Sequence, residues 1–211
     1  MIDKWLSKTK LNNFFEKLAR KLFFQKISAN TITLIALITG LLSALSIFLS
    51  GLLIWKLELI ICASSLMIIS FFLDVLDGAL ARVEGPTTFG GILDIFSDRT
   101  VEVFIIVSII SVDPIDLMWP GIVLLSSIIL CITIFLLVGG NVKAENLDES
   151  KKVMYYQSGI MERSETFILL FLTTVLISWR NIILWIFALL VLITALLRLR
   201  DAYCIFENNN K

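Results

Sequence analysis

The sequence predicts an all-α membrane protein, with six transmembrane helices preceded by an N-terminal amphipathic interfacial helix. Three observations carry this. Of 211 residues, 58% are hydrophobic and the mean hydropathy is +0.92, the composition of an integral membrane protein. Six apolar runs are long enough, or nearly so, to cross about 30 Å of hydrocarbon as helices. Of the 18 Lys and Arg residues, only Lys56 and Arg180 fall outside the leader, two of the connections and the tail. There is room for one domain, 1–211, of which 1–26 is a juxtamembrane amphipathic segment.

Within that leader Trp5, Leu6, Phe14, Phe15, Leu18, Leu22 and Phe23 can share one helical face. Lys4, Lys8, Lys10, Lys17, Arg20 and Lys21 are available to the other face. Such a helix suits an anionic membrane surface, so membrane lipids are expected partners. The leader has no central apolar block and no small-residue cleavage site, so no cleavable signal peptide is expected. Spans follow near 29–49, 52–73, 92–112, 117–138, 164–179 and 182–198, the second and third projecting past the membrane at their 74–98 ends. Trp55, Trp119, Trp179 and Trp185 fall near span ends, where interfacial aromatics anchor helices. Short turns at 49–51, 111–116 and 178–180 imply antiparallel pairs.

The positive-inside rule puts both termini and the 74–99 and 139–163 connections in the cytoplasm of a cell-membrane protein. Net charge is zero and the basic residues follow topology, so no nucleic-acid partner is expected. Cys62, Cys131 and Cys204 lie far apart and read as free structural thiols. The chain has no histidine, which excludes His-based acid/base, metal or nucleophile chemistry and leaves that work to Asp and Glu.

The informative segment is Asp74-Val-Leu-Asp77-Gly78-Ala-Leu-Ala81-Arg82, followed by Gly90-Gly-Ile-Leu-Asp94-Ile-Phe-Ser-Asp98. Charged and unpaired carboxylates cost roughly 2.5–3.5 kcal/mol each at the centre of a membrane helix. Asp74 and Asp77, three apart, share one helical face, which Gly78 and Ala81 continue with room for a ligand. Gly85-Pro86 breaks that helix; Asp94 and Asp98, four apart, line the next. Antiparallel packing would bring the two pairs together. Converging carboxylates ionise together only with cations among them. All-oxygen ligation suits Mg²⁺, Mn²⁺ or Ca²⁺ rather than zinc, and two such ions can clamp a diphosphate. Arg82 beside them suits a phosphate oxygen.

This string resembles the signature of the CDP-alcohol phosphatidyltransferases, D-x2-D-G-x2-A-R-x8-G-x3-D-x3-D. Every fixed position is present, with seven residues at 83–89 where the family usually has eight. Ala29-Asn30-Thr-Ile-Thr33 is similar to the family's P-N-x-x-T, without the proline. The resemblance implies that Asp74, Asp77, Asp94 and Asp98 hold two divalent ions, Mg²⁺ or Mn²⁺. It implies a nucleotide pocket of Asp74, Gly78, Ala81, Arg82, Asn30 and Thr33. Asp98 would also be the catalytic base. The implied reaction moves a phosphatidyl-type group from a CDP-linked lipid to a small polar alcohol and releases CMP.

Arg99, Lys143 and Arg163 form a basic group suited to an acceptor that itself carries phosphate. Lys151 and Lys152 are equally explained by topology. Asp98-Arg99 and Gly159-Ile-Met-Glu162-Arg163-Ser164-Glu165 are similar to the inositol-phosphate branch, so inositol phosphate is the favoured acceptor and glycerol phosphate the alternative. Glu102 can support the site or simply pair with Arg99. Other classes fit less well. A prenyltransferase carries its aspartate motifs on well-separated helices, and a cation or proton transporter needs acidic residues near mid-span on several helices. Spans with small residues also permit a homodimer.

Overall fold

In the computed structural model, residues 11–23, 27–144, 161 and 163–207 are described. They form seven α-helices: α1 (Leu11–Leu22), α2 (Ala29–Leu52), α3 (Lys56–Glu84), α4 (Thr88–Val112), α5 (Pro114–Ala144), α6 (Arg163–Val175) and α7 (Arg180–Glu207). A 3₁₀ turn at Ile177–Trp179 joins the last two, and no strand occurs among the described residues. By length and apolar composition, four stretches can cross a membrane: Ala29–Leu52, Lys56–Glu84, Pro114–Gly140 and Ile177–Cys204. The other two expected spans differ from these: α4 carries Asp94, Asp98, Arg99 and Glu102 in its first fifteen residues, and α6 has only 13 residues.

The helices begin and end where local chemistry dictates. Thr87 caps α4 by accepting the Gly90 amide at 3.0 Å. Gly85 ends α3 at φ +102°, a conformation side chains resist, and Pro86 prevents continuation. The turn expected at 49–51 lies instead at 53–55, because α2 continues to Leu52; the second expected span, 52–73, therefore begins at Lys56 and belongs to a longer helix that runs unbroken to Glu84.

Packing follows the side chains each helix presents. On α2, Ile32, Ala36, Ser43, Ala44 and Ile47 face inward, while Leu34, Ile38, Leu42 and Leu45 face outward. Small inward residues let the backbones approach, so hydroxyls bond across helices. Ser43 donates to the Ala63 carbonyl at 2.8 Å and Ser70 to that of Ala36 at 2.7 Å. The main core joins α2 through α7 around Ile106, Ile109, Leu124, Leu184 and Phe187. A second cluster seats α1 against the site: Ala19 is buried among Ile32, Leu76, Ala79 and Leu80, with Phe15, Leu18 and Phe23 around it. Lys17, Arg20 and Lys21 on the same helix stay exposed.

Candidate active site

The α3–α4 turn brings the two aspartate pairs together, as their spacing predicts. Carboxylate oxygens of Asp74, Asp94 and Asp98 lie within 4.8 Å of one another. Asp74 and Asp77 are buried, and Asp94 and Asp98 half-buried. Asp77 is not one of the three clustered carboxylates; it hydrogen-bonds with Thr33 and lies near Asp94. One oxygen each of Asp74 and Asp77, the Oδ2 atoms, is buried without a hydrogen-bond partner. Buried polar atoms are ordinarily satisfied, and an orphaned carboxylate oxygen is costly unless a cation meets it. The all-oxygen donor set, close spacing and orphaned oxygens fit a hard divalent ion.

Arg163 enters this cluster. Its guanidinium pairs with Asp74, donates to Asp98 at 2.5 Å and lies 3.7 Å from Asp94. Arg163 was expected at the acceptor; here it also neutralises the aspartates. The reason is register. Phe71 and Phe167 stack at 4.1 Å between centroids, joining α3 to α6. Asp74 lies three residues after Phe71 and Arg163 four before Phe167, so the stack seats one over the other. Met161, just ahead of Arg163, is buried and its amide bonds the Thr194 hydroxyl at 3.1 Å.

Among the described residues, three cavities meet the aspartates. A cleft of about 280 Å³ is lined by Asn30, Thr33, Asp77, Gly78, Ala81 and Asp94, among others. It collects four of the six residues expected at the nucleotide. Asp74 lies outside its wall in the cluster, and Arg82 turns away to pair with Glu16 of α1 at 3.3 Å. An apolar cavity of about 80 Å³ runs from Asp74 and Asp98 past Met67, Phe71, Ile105 and Leu170. The third, about 190 Å³, lies between α4, α5, α6 and α7 and is lined by Asp98, Arg99, Glu102, Cys131, Phe135, Arg163 and Arg198. Glu102 is buried and pairs with Arg99.

Arg198 escaped the sequence reading. At the end of the last apolar run, beside Arg200, it looks like one more positive-inside residue; only the packing of α7 on α5 turns it into the cavity. Lys143 falls in the last turn of α5, where side chains are outside the described set, and Gly159, Glu162, Lys151, Lys152 and residues 1–10 lie outside the described residues.

A sequence profile of the CDP-alcohol phosphatidyltransferase family matches residues 26–196, from ahead of the Asn30 element through most of α7. The chain belongs to the CDP-alcohol phosphatidyltransferase family. It is thus an enzyme, a phosphatidyl-type transferase of phospholipid biosynthesis, and an integral membrane protein. Two solved structures share the fold, both of phosphatidylinositol phosphate synthase from Mycobacterium tuberculosis. The one with CDP-DAG bound aligns with TM-score 0.68 at 19% identity, over 90% of this chain and 94% of that one. The one in complex with manganese and citrate aligns with TM-score 0.67 at 20% identity, over 90% and 88%. No curated protein sequence matches.

Proposed function

We propose that this transferase uses a CDP-linked lipid and a phosphorylated small alcohol, with inositol phosphate favoured and glycerol phosphate the alternative. One observation carries the acceptor reading: Arg99, Arg163 and Arg198, from three different helices, line one cavity that also contains Asp98. Guanidinium groups match phosphate oxygens in fork geometry, and a phosphorylated alcohol brings the negative charge that a cavity lined by three arginines favours over a neutral one. The solved relative with CDP-DAG supports a CDP-lipid donor.

Roles follow from position. As the family resemblance implies, Asp74, Asp77, Asp94 and Asp98 would hold two divalent ions, magnesium or manganese; Asp94 borders both the three-carboxylate cluster and the nucleotide cleft. The manganese-bound relative supports the choice of metal. When bound, such ions neutralise diphosphate charge. Asn30, Thr33, Gly78 and Ala81 receive the nucleotide, with Asp74 and Arg82 at its edge. Asp98 borders the acceptor cavity and takes the proton from the acceptor hydroxyl. The alcohol oxygen then bonds the phosphorus next to the lipid, the bond to the CMP oxygen breaks, and CMP leaves. Arg99, Arg163 and Lys143 serve the acceptor, joined by Arg198.

The same reading makes 1–211 one catalytic domain with α2–α7 as six membrane crossings and α1 at the interface. The site and both termini face the cytoplasm. Outward apolar faces are open to lipid and to a second copy alike.

The test is CMP release from labelled CDP-lipid with Mg²⁺ or Mn²⁺ and a panel of inositol phosphate, glycerol phosphate, inositol and serine. Release with a phosphorylated acceptor, lost in Asp98→Asn, is expected. Release with inositol or serine alone would overturn the acceptor reading.

A further inference from the structure

The three cavity arginines are not equivalent. Arg99 is paired by Glu102, and Arg163 by the aspartates. Arg198 makes no ion pair among the described residues. Its guanidinium instead lies between two neutral groups of α5: Nη1 donates to the Cys131 sulfur at 3.2 Å, and Cζ sits 5.4 Å from the centre of the Phe135 ring. Cys131 and Phe135 are four residues apart, so they rise from the same face of α5 as two sides of one cradle.

From this geometry we infer that Phe135, assisted by Cys131, is a positioning residue that aims Arg198 into the acceptor cavity and sets the affinity for the acceptor's phosphate. The inference rests on the phosphorylated-acceptor reading. An arginine side chain has many rotamers, and one left to itself spreads over them or pairs with the nearest carboxylate. A ring face attracts the cation and restricts its plane without neutralising it. The sulfur takes one N–H weakly. The remaining N–H donors stay available for an oxyanion, in a partly enclosed cavity where charge is poorly screened. Arg99 and Arg163 balance charges the protein already holds, while Arg198, without an ion-pair partner among the described residues, brings positive charge that an incoming anion can balance.

The experiment compares wild type, Phe135→Leu and Phe135→Tyr in steady-state CMP release against phosphorylated acceptor and against CDP-lipid. Leucine fills the space but has no ring; tyrosine keeps it. Expected in Phe135→Leu is a roughly five- to twentyfold rise in acceptor KM, the scale of a desolvated cation–π contact, with kcat and CDP-lipid KM within about twofold; Phe135→Tyr stays near wild type. If both variants match wild type, or if Phe135→Leu raises both KM values and lowers thermal stability together, the cradle is overturned and the acceptor reading stands. A second measurement keeps the two apart. In a Cys62→Ser/Cys204→Ser background, maleimide labelling of Cys131 is followed with and without inorganic phosphate. Should no phosphorylated alcohol support release in wild type, the acceptor reading falls and the cradle is judged on labelling alone. Phosphate that slows labelling in the Phe135-containing protein but not in Phe135→Leu supports it; equal rates overturn it.

Discussion

The cluster of Asp74, Asp94 and Asp98 around Arg163 is a balance of charge that single side chains control. Arg163 pairs with Asp74 and Asp98, so under the proposed metal assignment it would compete with a divalent ion for the same oxygens. Arg163→Ala removes the competitor and leaves the carboxylates to repel one another. Its thermal midpoint is therefore expected to depend on Mn²⁺ more steeply than that of wild type, because an ion that binds only the folded state stabilises it by mass action. Equal Mn²⁺ dependence in thermal melts would show that Arg163 does not share the ion's oxygens. Asp98→Asn keeps the shape of the side chain but removes the carboxylate proposed as the proton acceptor. CMP release is expected to fall about 10²–10⁴-fold, the usual contribution of a general base, with the melting profile preserved. The aspartate pairs were legible from the sequence because i, i+3 and i, i+4 spacing puts each pair on one face of its helix and a short turn joins the two helices. The guanidinium among them was not, since Arg163 lies 65 residues from Asp98 and reaches it only through packing.

At the scale of helices, close approach decides the site's geometry. A side chain at Gly40 of α2 would place its Cβ 2.5 Å from Val101 Cγ2 on α4 and 3.0 Å from Ser70 Oγ on α3. Gly40→Ala is expected to lower stability by about 1–3 kcal/mol, as overpacking does. Val101→Ala in the same chain should recover part of that loss in denaturation, since it removes the obstructing methyls. No recovery would mean the strain falls on Ser70 instead. At the opposite end of the bundle from the aspartates, Arg180 shows how a charge in an apolar setting is satisfied. It is buried, and its Nε and Nη2 donate to the carbonyls of Thr173 and Thr174 at 3.0 and 3.1 Å. These are carbonyls in the last turn of α6, which lack helical partners. The sequence placed Arg180 on the far side from the other cations; its capping role emerges only once α6 ends at Val175.

For the whole molecule, the ion completes the site but the core does not depend on it. The helices are held by the clusters around Ile106, Leu184 and Phe187 and around Ala19 and Leu80. Chelation should therefore abolish CMP release while helical content, read by circular dichroism, is retained, and added Mn²⁺ should restore activity. Unfolding on chelation would assign the ion a structural role instead. What the sequence by itself determined is what depends on local spacing: helical periods, apolar lengths, the aspartate pairs and the turn between them. Those are short-range properties, set by 3.6 residues per turn and by transfer of side chains from water. The tertiary structure decided what depends on distant segments meeting. It turned Arg82 toward Glu16, brought Arg163 among the aspartates, and made Arg198 part of a cavity rather than one more cation at a membrane edge. Long side chains take the partner that packing supplies, and packing joins helices that the chain keeps far apart.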